Sequence, residues 1–247
     1  MQLLTSTRLI AAMSAIAGLF LMSPAVGRGA SLVFYTSASG FNAAEPGLPV
    51  EGFNNANVTN GTILLESSPV SSATSNSIFA GGSILPGLTV SNLNPKLTPG
   101  LIVYGNGAIF GGTKTIGTNW FGDSLVLSFA PGVSAVAADV FAATSPGQTL
   151  AGSFTADVYN GSTLLGSTSF TEDKGAFGFF GVSSSTRITS VNLLYTTDDA
   201  TTFADNIAFG GSAPPPSAVP EPSTFIICAA LFCICIAAAG RRRSAAR

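Results

Sequence analysis

From Ser31 to Gly211 apolar residues fall on alternate positions in short runs rich in Val, Phe, Thr and Ser, and clusters of Gly, Pro and Asn separate the runs. A period of two puts successive side chains on opposite faces of an extended backbone, so this stretch is built for half-buried antiparallel strands. No segment in it has helical periodicity. The runs are Ser31 to Thr36, Val50 to Phe53, Thr62 to Leu65, Leu88 to Val90 and Leu101 to Tyr104 in the first half. In the second half Leu125, Leu127 and Phe129 share a face, as do Val136, Ala138 and Val140, with Asp139 turned outward between them. Phe154, Ala156 and Val158 lead into Asn160-Gly161, where positive φ at both central positions predicts a type I′ hairpin with Leu164 to Phe170 returning. Phe177 to Val182, Ile188 to Tyr195 and Phe203 to Phe209 complete the set. About ten strands without helices predict an all-β fold, an antiparallel β-sandwich of jelly-roll type.

Burial must stabilise this domain without covalent help. All three cysteines, Cys228, Cys233 and Cys235, lie beyond it in an apolar run, so the domain has no disulfide. The chain has no histidine, which removes the Ser-His-Asp and Cys-His nucleophile arrangements and the commonest metal ligand. Residues 31–211 hold eleven acids against four bases, a formal charge of −7, because six of the ten basic residues of the chain sit at its two ends. An acidic domain excludes nucleic acid as a partner, since phosphate binding takes a basic face. One domain fits the length.

Both ends read as targeting sequence. Arg8 precedes an apolar stretch from Leu9 to Met22, and Ser23-Pro24-Ala25-Val26-Gly27 supplies small residues for signal-peptidase cleavage, so residues 1–27 read as a signal peptide. At the other end Phe225 to Ala239 carry no charge, and residues 224–240 predict a single transmembrane helix, short against the roughly 20 residues that span a bilayer comfortably. Arg241, Arg242 and Arg243 follow and should stay cytoplasmic, which puts everything before Phe225 outside the inner membrane. Residues 212–218, with Pro214-Pro215-Pro216, read as a semi-rigid linker.

Val219, Pro220, Glu221, Pro222, Ser223 and Thr224, followed by the short apolar helix and the arginine cluster, resemble the PEP-CTERM sorting domain of Gram-negative bacteria over residues 219–247. The resemblance implies an exosortase-type membrane protease or transpeptidase as partner, transient anchoring in the inner membrane, and release or transfer to the cell surface or extracellular polymer matrix, in bacteria that typically make exopolysaccharide. The helix here is rich in Ile, Ala and Cys where the family often has Leu and Gly, and Ser244 to Arg247 follow the arginines. VEGF, VSAVAADVF, FGFFGVSSSTRITSVNLLY and FADNIAFG are also similar in order to sandwich domains common among PEP-CTERM proteins.

Binding residues on a sandwich usually sit on its loops. Gly105 to Gly122 reads as a glycine-rich loop and holds the only tryptophan, Trp120. Trp120, Asn119, Tyr104 and Asp123 are the candidate carbohydrate patch, since sugar C–H faces stack on rings while hydroxyls take amide and carboxylate partners; alternatively Trp120 caps the core at a sheet edge. Glu51, Asp198, Asp199 and Asp205 are candidate Ca²⁺ ligands if an early strand lies beside the last one, the alternative being solvated loop carboxylates. No spacing nominates a carboxylate pair for glycoside hydrolysis, and no repeat supplies the threonine rows of an ice-binding surface. The expectation is a non-enzymatic exported surface or matrix protein, with carbohydrate binding as the alternative.

Overall fold

The computed structural model describes residues 31–94, 96–110, 112–144, 148–197 and 199–211, so the expected signal peptide, linker and sorting tail lie outside the described residues. No helix among the described residues is long and apolar enough to cross a membrane.

The alternating runs become antiparallel strands: β1 (Leu32–Tyr35), β2 (Val50–Glu51), β3 (Ile63–Glu66), β4 (Val70–Ser71), β5 (Leu88–Asn92), β6 (Leu101–Tyr104), β7 (Thr115–Thr118), β8 (Leu125–Thr144), β9 (Gln148–Leu150), β10 (Gly152–Asn160), β11 (Thr163–Glu172), β12 (Gly178–Tyr195) and β13 (Thr201–Gly210). The two longest, β8 and β12, tie the sandwich together. The N-terminal part of β8 pairs with β5 on one side and with the C-terminal part of β12 on the other. Its C-terminal part pairs with the start of β12 and with β13. One half thus runs β4-β5-β8-β12-β10-β11, and the other runs β1-β12-β8-β13-β7-β6-β3. The register breaks between the two halves, from Val133↔Ile188 to Ser128↔Ser190, beside Pro131-Gly132. A bulge is where a strand tolerates proline and where it bends.

Inward residues of both halves meet in one core that includes Leu88, Val90, Leu125, Leu127, Val136, Val140, Phe154, Phe180, Val191, Leu193 and Ile207. A second cluster on the outer face of β6, β7, β8 and β13 stacks Tyr104 on Phe203 at 4.6 Å and Phe203 on Phe141 at 5.0 Å. Gly117 of β7 makes that stack possible: a Cβ there would collide with the Phe203 ring.

Four expectations change. A short helix, α1 (Ala38–Ala44), stands where none is expected; Ser37 caps it and Phe41, 1 % exposed, anchors it to Tyr35 and Phe179. The stretch from Gly105 to Gly122 contains β7, whose four residues are all buried. The hairpin after β10 turns on Gly161-Ser162 instead of Asn160-Gly161, because Asn160 pairs with Thr163 and Gly161 alone has positive φ (60°), as a II′ turn asks of its first central residue. Finally, the runs on either side of Pro131-Gly132 belong to the single strand β8, and Phe177 to Val182 and Ile188 to Tyr195 lie largely within β12.

Candidate functional site

Four residues hold Trp120 outward at the end of β7. Thr118 donates its hydroxyl to the Trp120 carbonyl at 3.3 Å, and the Asp123 N–H reaches the same carbonyl at 3.4 Å. Gly122, third in this Trp120-Phe121-Gly122-Asp123 turn, has φ 69°, which a side chain would resist. Asn119 anchors the other side: its Nδ2 donates to the Pro99 carbonyl at 2.7 Å and its N–H to the Gly100 carbonyl at 3.0 Å. The indole and the Phe121 ring stand 36 % and 42 % exposed.

These residues wall a cleft of about 340 Å³ on the outer face of the β3-β6 edge. Ile63 and Leu65 of β3 lie opposite Tyr104 and Ile102 of β6 in register, so the four side chains share one face and form the floor. Leu97 and Thr201 complete the lining. Lys96 holds its ammonium 5.5 Å from the centroid of the Trp120 ring, a cation–π contact.

Three of the four residues expected in the carbohydrate patch therefore come together: Trp120, Asn119 and Tyr104. Tyr104 acts as floor more than as donor. It is 4 % exposed, and burial pushes its hydroxyl up to about 12. Asp123 does not join them. It is 2 % exposed and its carboxylate faces inward, accepting from Asn92 Nδ2 at 3.0 Å and from the Asn94 N–H at 2.9 Å. It pins the turn that presents Trp120.

The acidic set behaves differently. Glu51 does lie beside the last strand, opposite Ile207, and Asp205 stands opposite Asp139. Yet each carboxylate already has protein donors. Glu51 accepts the Phe53 and Leu85 N–H groups, both at 2.7 Å. Asp205 accepts the Thr113 hydroxyl and, at 2.7 Å, the Asn206 N–H. Asp139 accepts Asn206 Nδ2 at 2.8 Å. Burial raises Asp205 to about 6, with its hydrogen bonds opposing the shift, and it raises Asp139 as well. Asp199 sits in the turn before β13, away from Glu51, and takes the Thr197 hydroxyl; Asp198 lies outside the described residues. Among the described residues no group of three or more His, Cys, Asp and Glu side chains is placed to hold a metal ion.

No family model and no curated protein matches the chain. Among solved structures it is similar to a family 6 carbohydrate-binding module, at 18% identity over 49% of this chain and 94% of that one, TM-score 0.29. It is also similar to CsCBM6-3 from Clostridium stercorarium in complex with cellobiose, at 19% identity over 49% and 94%, TM-score 0.28. A third is the family 11 carbohydrate-binding module from Clostridium thermocellum in complex with a β-1,3-1,4-mixed-linked tetrasaccharide, at 10% identity over 67% and 98%, TM-score 0.27. Likenesses this weak assign no ligand to this chain.

Proposed function

We propose that this chain is an exported, non-enzymatic jelly-roll sandwich that holds carbohydrate at the Trp120 cleft, and that its C-terminal sorting sequence delivers it to the cell surface or the extracellular polymer matrix. The observation that carries the first part is the exposure of Trp120. A tryptophan capping the core would be covered, whereas this indole is 36 % exposed beside an equally open Phe121, at the wall of a cleft. Two rings and an apolar floor suit the C–H faces of a pyranose, and the Asn119 side chain stands at the same wall to meet hydroxyls. The described lining holds no carboxylate, where glycoside hydrolysis takes two. The second part rests on the Val219 to Thr224 motif, the apolar run and the arginine cluster.

The test is co-sedimentation of the purified full chain in mild detergent with the producing organism's own exopolysaccharide, beside a Trp120→Ala chain. Binding that falls at least tenfold in the variant is the expected result. Equal binding by both chains, or by neither, refutes the cleft as a carbohydrate site.

A further inference from the structure

Among the described residues no strand pairs with the outer edge of β3. It ends the β13-β7-β6-β3 side of the sheet, and three successive residues, Ile63, Leu64 and Leu65, are 42 %, 37 % and 51 % exposed. Edge strands are normally blunted by charge, proline or a covering loop, because a free edge recruits another strand. The opposite edge, β11, has polar residues at most of its exposed positions, among them Thr163, Ser167 and Ser169. β3 has no such guard. Its one charged residue, Glu66, is turned inward, 5 % exposed, accepting from Asn76 Nδ2 and the Ser67 N–H.

The register shows which backbone groups the edge offers. Gly105 donates its N–H to the Thr62 carbonyl at 2.9 Å, which makes Thr62 and Gly105 a hydrogen-bonded pair. Pairs alternate along an antiparallel ladder, so Leu64 and Val103 are the next one. Ile63 and Leu65 therefore turn their N–H and C=O groups outward.

We propose that β3 pairs antiparallel with β3 of a second copy of this chain. A two-fold axis at Leu64 sets Ile63 opposite the second copy's Leu65, exchanging both sets of outward hydrogen bonds, and sets the two Leu64 residues in the close, non-hydrogen-bonded position. The exposed part of the strand, Ile63 to Leu65, is complementary to itself: uncharged, aliphatic and extended. The edge favours a second copy over a basic peptide, since the one carboxylate of β3, Glu66, is buried and held by Asn76, which leaves no exposed negative charge on the strand to attract a basic partner. Three paired residues on each strand, Ile63 to Leu65, cover less than the roughly 1,000 Å² of a stable interface, so the pairing is reversible and depends on concentration. Leu64, at the centre of the pairing, is not among the residues that line the Trp120 cleft.

The test uses the full chain in detergent with Cys228, Cys233 and Cys235 each changed to Ser, and with Leu64→Cys as the only cysteine. Non-hydrogen-bonded antiparallel positions stand about 4.5 Å apart at Cα, within disulfide reach. Under mild oxidation this chain should form covalent dimers at least tenfold faster than a chain with Leu164→Cys, an exposed leucine on β11. The Leu64→Lys chain should sediment as a monomer at concentrations where the parent is partly dimeric. Equal cross-linking at the two positions, or a Leu64→Lys chain that dimerises as well as its parent, overturns the proposal.

Discussion

Replacing Glu172 with Gln should remove most of the dependence of stability on pH between pH 5.5 and 7.5. Glu172 ends β11 and is 5 % exposed. Its Oε1 accepts the Ala142 N–H at 2.7 Å, while its buried Oε2 has no partner among the described residues. Burial pushes the carboxyl up to about 8, against the Ala142 hydrogen bond, which favours the ionised form. In the unfolded chain the same group titrates in the ordinary carboxylate range, near 4.5. Between these values the folded state holds one proton more than the unfolded state, so stability falls as pH rises, by about 1.4 kcal/mol per pH unit, and levels off above pH 8. From pH 5.5 to 7.5 that amounts to roughly 2 to 3 kcal/mol, less if water reaches Oε2 as the strand end opens. Glutamine keeps an acceptor for Ala142 and carries no charge at any pH. Asp205, raised to about 6, contributes a slope of the same sign, confined to lower pH and common to both chains. Urea unfolding at the two pH values measures the difference directly. The same loss of stability with pH in wild type and Glu172→Gln would refute the assignment of a buried, protonated Glu172.

Three further outcomes follow from packing and hydrogen bonding. Gly117→Ala drives a methyl group into the Phe203 ring and should cost about 1 to 3 kcal/mol in urea unfolding; an unchanged midpoint would mean the Tyr104-Phe203-Phe141 stack shifts freely. Asp123→Ala leaves the Asn92 amide and the Asn94 N–H without their acceptor and should cost about 2 to 4 kcal/mol, while carbohydrate binding by the folded fraction persists; loss of binding at full stability would return Asp123 to the ligand set. With Glu51 and Asp205 occupied by protein donors, a chelator should leave the melting temperature unchanged, and a drop that calcium reverses would show that these carboxylates hold a metal.

Strand positions were legible because each has a buried and an open face, which prints a period of two on the sequence. Leu88, Val90 and Asn92 point inward in β5, and Phe154, Ala156 and Val158 do so in β10. The continuity of β8 and β12 was hidden by their own bulges, where Pro131-Gly132 and Ser184 to Arg187 interrupt an alternation that the backbone carries through. Helix α1 has no amphipathic repeat to detect; one buried Phe41 and one cap hold it. Thr115-Ile116-Gly117-Thr118 gave no apolar alternation, since Gly117 is small in order to admit Phe203. At the cleft, Trp120, Asn119 and Tyr104 could be chosen by residue type. Ile63, Leu65, Ile102 and Thr201 could not, because pairing alone brings β3, β6 and the start of β13 to one face. Asp123 had the right chemistry, but only the Asn92 contact reveals that it faces inward.

Because Trp120 is the only tryptophan in the chain, its fluorescence reports on the cleft without any label. Titrating the full chain with the producing organism's exopolysaccharide should shift the emission to shorter wavelength and protect the indole at least twofold from iodide quenching, as ring contact replaces water. Co-sedimentation with the polymer while emission and quenching stay unchanged would contradict the account, since the carbohydrate would then be held somewhere other than the Trp120 cleft.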